Sequence, residues 1–100
     1  MTSPKNNPND TFWLARYAHN TLTPVIEALP GQTDKVYAYL YLGLSAHPHH
    51  GGLSIYVHQM GLEGMVDSNT YLATKESVDA MAERLPRKWR ATLDAAAVTA

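Results

Sequence analysis

The sequence predicts a small α+β domain, and three observations carry that prediction. Residues 35–44 alternate aliphatic and tyrosine side chains with period two, residues 53–58 alternate again after a Pro/Gly-rich loop, and apolar residues recur at helical spacing on either side of this block. The fold expected is an antiparallel sheet of two or three strands, with 36–44 and 53–59 as a hairpin, packed with an N-terminal helix and two C-terminal helices.

Residues 1–9 are polar and include Pro4 and Pro8, which reads as a disordered arm before a single domain over 10–98. Asn9 or Asp10 then caps a helix whose apolar stripe is Phe12, Trp13, Tyr17, Ala18 and Leu22. Pro24 either kinks that helix or opens a short second one capped by Thr21 or Thr23, with Val25, Ile26 and Leu29 continuing the buried face. Pro30-Gly31 ends it, and residues 31–34 form a turn.

In the first strand Val36, Ala38, Leu40, Leu42 and Leu44 fall on one face, and Tyr37, Tyr39 and Tyr41 on the other. In the second strand Leu53, Ile55 and Val57 join the aliphatic face, whereas Ser54, Tyr56 and His58 join the tyrosine face. The patterns agree on which side is core, so an antiparallel hairpin places Tyr56 across from or diagonal to the tyrosine row, within reach of ring contacts. Gly61-Leu62-Glu63-Gly64 breaks the sheet, and Met65-Val66 or Thr70-Tyr71-Leu72 supplies a short third strand. Thr74 caps the next helix, on which Val78, Met81, Ala82 and Leu85 occupy i, i+3, i+4 and i+7. Pro86 is expected to stop it, and residues 87–98 to form a second C-terminal helix with Trp89, Leu93 and Ala96 or Ala97 as its stripe.

At 100 residues the chain is the size of one domain and long enough to bury a core. It contains no cysteine, which removes disulfides and thiolate metal sites. No apolar leader or bilayer-length apolar run occurs, so a soluble, cytoplasmic protein is expected. The net charge of −1 argues against both a generally basic nucleic-acid binder and an acidic nucleic-acid mimic.

The densest candidate chemistry is His47-Pro48-His49-His50, with His58 on the adjoining strand. Imidazoles are common ligands of zinc, copper and nickel, but no helical His-Glu-x-x-His spacing accompanies them, and Glu63 is the nearest following acid. A solvated loop is the preferred reading, with no metal or cofactor assigned. For nucleophilic catalysis only Ser45 or Ser54 lies near a histidine, without a nucleophile elbow or an orienting acid. Asp67, Glu76, Asp79 and Glu83 are spread over a turn and a helix surface rather than paired. Gly51-Gly52 and residues 61–64 lack the lysine and following helix of a phosphate-binding loop.

A basic cluster is formed by Arg84, Arg87, Lys88 and Arg90, four of the chain's eight lysines and arginines, around Trp89. It offers a patch for nucleic acid or an acidic partner, with Trp89 as a stacking platform, unless the cations are solvated and Trp89 is core. Tyr37, Tyr39, Tyr41 and Tyr56 form the other candidate surface. Tyrosine is enriched where proteins bind proteins, so a bare tyrosine face is a partner-binding face. The competing arrangement folds Phe12, Trp13 and Tyr17 across it as a second core layer, and a homodimer that covers the face is a third.

The function expected by elimination is therefore a non-enzymatic protein-interaction module that occupies a partner's surface. Its general character is similar to that of the small inhibitors encoded by phages and mobile elements, anti-CRISPR proteins included. A nucleic-acid-binding regulator using residues 84–90 is the first alternative, and a His-loop metalloprotein the second.

Overall fold

The structure, a computed structural model, describes residues 11–44, 52–69 and 73–99. Helix α1 spans Thr11–Glu27, strands β1, β2 and β3 span Tyr37–Leu44, Leu53–Met60 and Asp67–Asn69, and helix α2 spans Lys75–Thr99. The sheet is antiparallel in the order β1-β2-β3, and both helices pack on its aliphatic face. The α+β class follows from this arrangement, with two helices where three were expected.

The hairpin has the expected partners. Its register runs without interruption from Tyr37↔Met60 to Leu44↔Leu53, with Tyr41 directly opposite Tyr56. Leu53, Ile55 and Val57 are fully buried on the central strand. Of the aliphatic row on β1, only Ala38 is buried; Val36, Leu40 and Leu42 are half-buried and Leu44 is 53 % exposed. β1 lies at the margin of the sheet, and coverage runs out toward its far end. A third strand is present at Asp67–Asn69, directly after Met65-Val66; the other segment expected to supply it, residues 70–72, lies outside the described residues. Val66 N–H also donates to the Val57 carbonyl and Ala73 N–H to the Leu53 carbonyl, extending the pairing on both sides of β3.

Pro86 does not end its helix as expected, and Pro24 lies inside one continuous helix, the first of the two arrangements expected for it. α1 continues through Pro24 and α2 through Pro86, so the expected pair of C-terminal helices is one helix. Each proline removes one i→i−4 bond, at a typical cost of about 3 kcal/mol. Both face solvent, where water can reach the carbonyl left without a donor. Against that cost stands a buried stripe in unbroken phase: Leu14, Ala18, Leu22 and Ile26 on α1, and Val78, Met81, Leu85 and Trp89 on α2. Burying Trp89 alone is worth about 3–5 kcal/mol, enough to hold the helix on course past Pro86.

The α1 stripe also differs from the expected one. Phe12 is 75 % exposed, and Trp13 and Tyr17 are half-buried, stacked at 5.2 Å beside α2 rather than laid over the tyrosines. At the start of α2, Thr74 Oγ1 accepts from Ser77 N–H at 3.1 Å, and Thr74 N–H donates to Ser77 Oγ at 2.7 Å, a reciprocal N-terminal cap. The capping residues expected for α1, Asn9 and Asp10, lie outside the described residues, as does the arm 1–9.

Two glutamines shape the connections. Gln32 Nε2 donates to the carbonyls of Ile26 at 2.8 Å and Leu29 at 3.0 Å, while its Oε1 accepts from Ala38 N–H at 3.0 Å. One side chain thus satisfies orphan carbonyls at the end of α1 and fixes the entry of β1 beside it. Gln59 does the same for the β2–β3 turn, bonding the Leu62 carbonyl, the Gly64 carbonyl and Leu62 N–H. Gly61 in that turn has φ +92°, and a Cβ there would come within 2.3 Å of the Lys35 carbonyl oxygen, so only glycine fits.

Candidate interaction face

Because successive strand residues point to opposite sides, burying Leu53, Ile55 and Val57 forces Ser54, Tyr56, His58 and Met60 onto the other face, with Tyr37, Tyr39 and Tyr41 beside them. Neither helix covers that face. The arrangement in which the N-terminal aromatics form a second core layer is therefore replaced by one in which the tyrosines are bare among the described residues. Tyr39 is 39 % and Tyr41 is 56 % exposed; Tyr37, Tyr56 and His58 are half-buried.

The rings form a connected ladder. Tyr39 stacks on His58 across the hairpin at 5.5 Å, and His58 stacks on Tyr56 at 5.8 Å. Tyr41 meets Tyr56 at 6.0 Å and the edge of His58 at 6.1 Å, and Tyr37 lies 6.1 Å from Tyr39. Tilted and offset pairs at these distances are the favourable geometries for aromatic rings. Each ring restricts the next, so the face is ordered before any partner arrives. His58, noted in the sequence for metal binding, serves here as the central rung.

The basic cluster is divided by the structure. Arg84 Nε donates to Asp67 Oδ2 at 2.6 Å, with a second bond from its terminal nitrogen to Oδ1 at 3.3 Å. The Asp67 side chain is only 7 % exposed, so this pair fastens β3 to α2 and withdraws Arg84 from any patch. Trp89 is fully buried and donates from Nε1 to the Pro30 carbonyl at 2.6 Å, which removes it as a stacking platform. Arg87, Lys88 and Arg90 are exposed on α2, with Glu83 and Asp94 each four residues from an arginine on the same helix.

His47, His49, His50 and Ser45 lie outside the described residues. Among the described residues no three histidine, aspartate or glutamate side chains converge as a metal site would require. No helix among them is long and apolar enough to cross a membrane. No family model matches the chain, and neither curated proteins nor solved structures show significant similarity to it.

Proposed function

We propose that this chain is a non-enzymatic protein-interaction module that binds a partner protein through Tyr37, Tyr39, Tyr41 and Tyr56, occupying that partner's surface as small phage-type inhibitors do. One observation carries the reading: a pre-ordered aromatic ladder on a sheet face that neither helix covers. Large rings with polar tips and few rotatable bonds contribute most of the energy at protein interfaces and lose little entropy on binding. The tyrosine rungs carry no formal charge to desolvate at neutral pH.

The second reading, an acidic or nucleic-acid partner held by Arg87, Lys88 and Arg90, draws support from the exposure of those three cations on one segment of α2. Affinity capture with the wild-type chain, followed by mass spectrometry, supplies the partner for the test. Tyr39→Ser combined with Tyr41→Ser should weaken its binding by about 2 kcal/mol or more, while Arg87→Ala with Arg90→Ala leaves it nearly unchanged. The double serine variant should melt near the wild type, since both side chains already face solvent. Loss of binding in the arginine variant alone would instead favour the second reading.

A further inference from the structure

Tyrosine rings meet one another in two places among the described residues. Tyr37 lies 6.1 Å from Tyr39 along β1, and Tyr41 lies 6.0 Å from Tyr56 across the hairpin with the two planes inclined at 55°. Tyr17 stacks on Trp13 instead, and its hydroxyl is held by Asp79. The sixth tyrosine, Tyr71, lies outside the described residues.

The cross-strand pair is the better placed of the two for a reaction between its rings. Ala38 N–H turns away from β2 to reach Gln32, so the alternation of an antiparallel ladder makes Tyr41 and Tyr56 partners that exchange backbone hydrogen bonds. The Cα atoms of such partners are about 5.5 Å apart, whereas Tyr37 and Tyr39, two steps along one strand, are about 6.6 Å apart. Tyr41 also has room to turn. Beside its ring lies Gly43, where even a Cβ would stand 3.8 Å from Tyr41 Cε1, and the ring torsion of a tyrosine is broad and yields at small cost. Tyr41 is exposed, so an oxidant can reach it from solvent.

What an oxidant would find on this chain is set by composition. Thiolates are the usual first target, and the sequence has no cysteine. The exposed Met60 and Met65 accept an oxygen atom and become sulfoxides, which joins nothing to anything. Phenols react differently, by loss of one electron and one proton at a time.

We propose that Tyr41 and Tyr56 form a modification site, which a haem peroxidase with hydrogen peroxide converts into a dityrosine cross-link between β1 and β2. This inference does not rest on the partner-binding reading. One electron and one proton leave each hydroxyl, giving two neutral phenoxyl radicals whose spin is shared with the ring carbons ortho to oxygen. An ε carbon of Tyr41 and an ε carbon of Tyr56 then form the new C–C bond. The hydrogens on those two carbons move through solvent to the two oxygens, which restores both phenols. The electrons and protons removed reduce one peroxide to two waters, and no further co-reactant is required. The product ties the hairpin covalently and fixes the centre of the tyrosine face.

The full chain at low micromolar concentration, treated with a haem peroxidase and one equivalent of hydrogen peroxide, should run as a monomer on a denaturing gel. It should gain blue dityrosine fluorescence and lose the mass of two hydrogens, and chymotryptic peptides should show residue 41 joined to residue 56. Tyr41→Phe and Tyr56→Phe keep a ring but remove the phenol, and each should abolish the emission. Tyr37→Phe, Tyr39→Phe and Tyr71→Phe should each retain it, with circular dichroism unchanged in every variant. The linked wild type should melt at a higher temperature than the untreated chain, because a covalent tie restricts the unfolded state as a disulfide does, and treated Tyr56→Phe should show no such gain. A wild-type chain that gains no emission, emission that survives in both Tyr41→Phe and Tyr56→Phe, or a product found only as covalent dimers would each overturn the proposal.

Discussion

Asp79 is the point where the two helices exchange polar contacts. The Tyr17 hydroxyl donates to its Oδ1, Lys75 Nζ lies 3.0 Å from its Oδ2, and the same ammonium sits 5.2 Å from the centre of the Tyr17 ring. The hydrogen bond from Tyr17, followed by that from Lys75, holds the Asp79 carboxyl below its ordinary value of 3.8. The hydrogen bond to Asp79 and the contact with Tyr17 in turn raise Lys75 above 10.5. A carboxyl whose pKa is lower when folded than when unfolded stabilises the fold above its unfolded value and stops doing so as pH falls through the folded one. The lysine contributes below its unfolded value and loses that contribution as pH rises through the raised one. Melting temperature should therefore begin to drop below pH 3.8 from this site. Tyr17→Phe, which removes the largest cause of the Asp79 shift, should lower the melting temperature near neutrality and make that acid limb shallower, the two curves converging at low pH. An identical acid limb in the variant would show that the contact has no weight in solution.

At the scale of elements, the strands were legible because two period-two patterns agreed on a core side and turn residues bounded them. The C-terminal helix was read less well because Pro86 was treated as a stop, whereas for Pro24 one continuous helix had stayed open. Val78, Met81, Leu85 and Trp89 keep one helical phase across Pro86, and that continuity was present in the sequence. Pro86→Ala should accordingly stabilise the protein, by about 1–3 kcal/mol in urea unfolding, because it restores a bond to the Ala82 carbonyl without altering the buried stripe. A destabilised variant would mean that the proline sets a bend that the packing requires. Gln32 and Gln59 carried no signal of their own. Each acts by meeting backbone groups that only the folded chain assembles. The shortfall in burial at Leu42 and Leu44 was hidden for a similar reason, since alternation tells which face a residue takes but not how far a helix reaches along it.

At the scale of the whole molecule, α1 and α2 lie on one side of the sheet. The tyrosine row was legible as a face; that it is bare depended on where α1 packs, which turned on Leu14 rather than on the more conspicuous Phe12 and Trp13. The strand order has a consequence for motion. Among the described residues only β2 has neighbours on both sides, so the sheet opens from its margins and β2 separates last. Amide exchange should record this as an alternating pattern along β1: protons of Tyr39, Tyr41 and Gly43, aimed at β2, should persist, while those of Leu40, Leu42 and Leu44 should be lost quickly in dilute solution. Uniform protection along β1 would be incompatible with a free edge. Uniform loss would be incompatible with the hairpin. The same strand thus carries slow and fast protons on alternate residues, and any partner that docks along its edge, whatever its identity, should slow the fast set first.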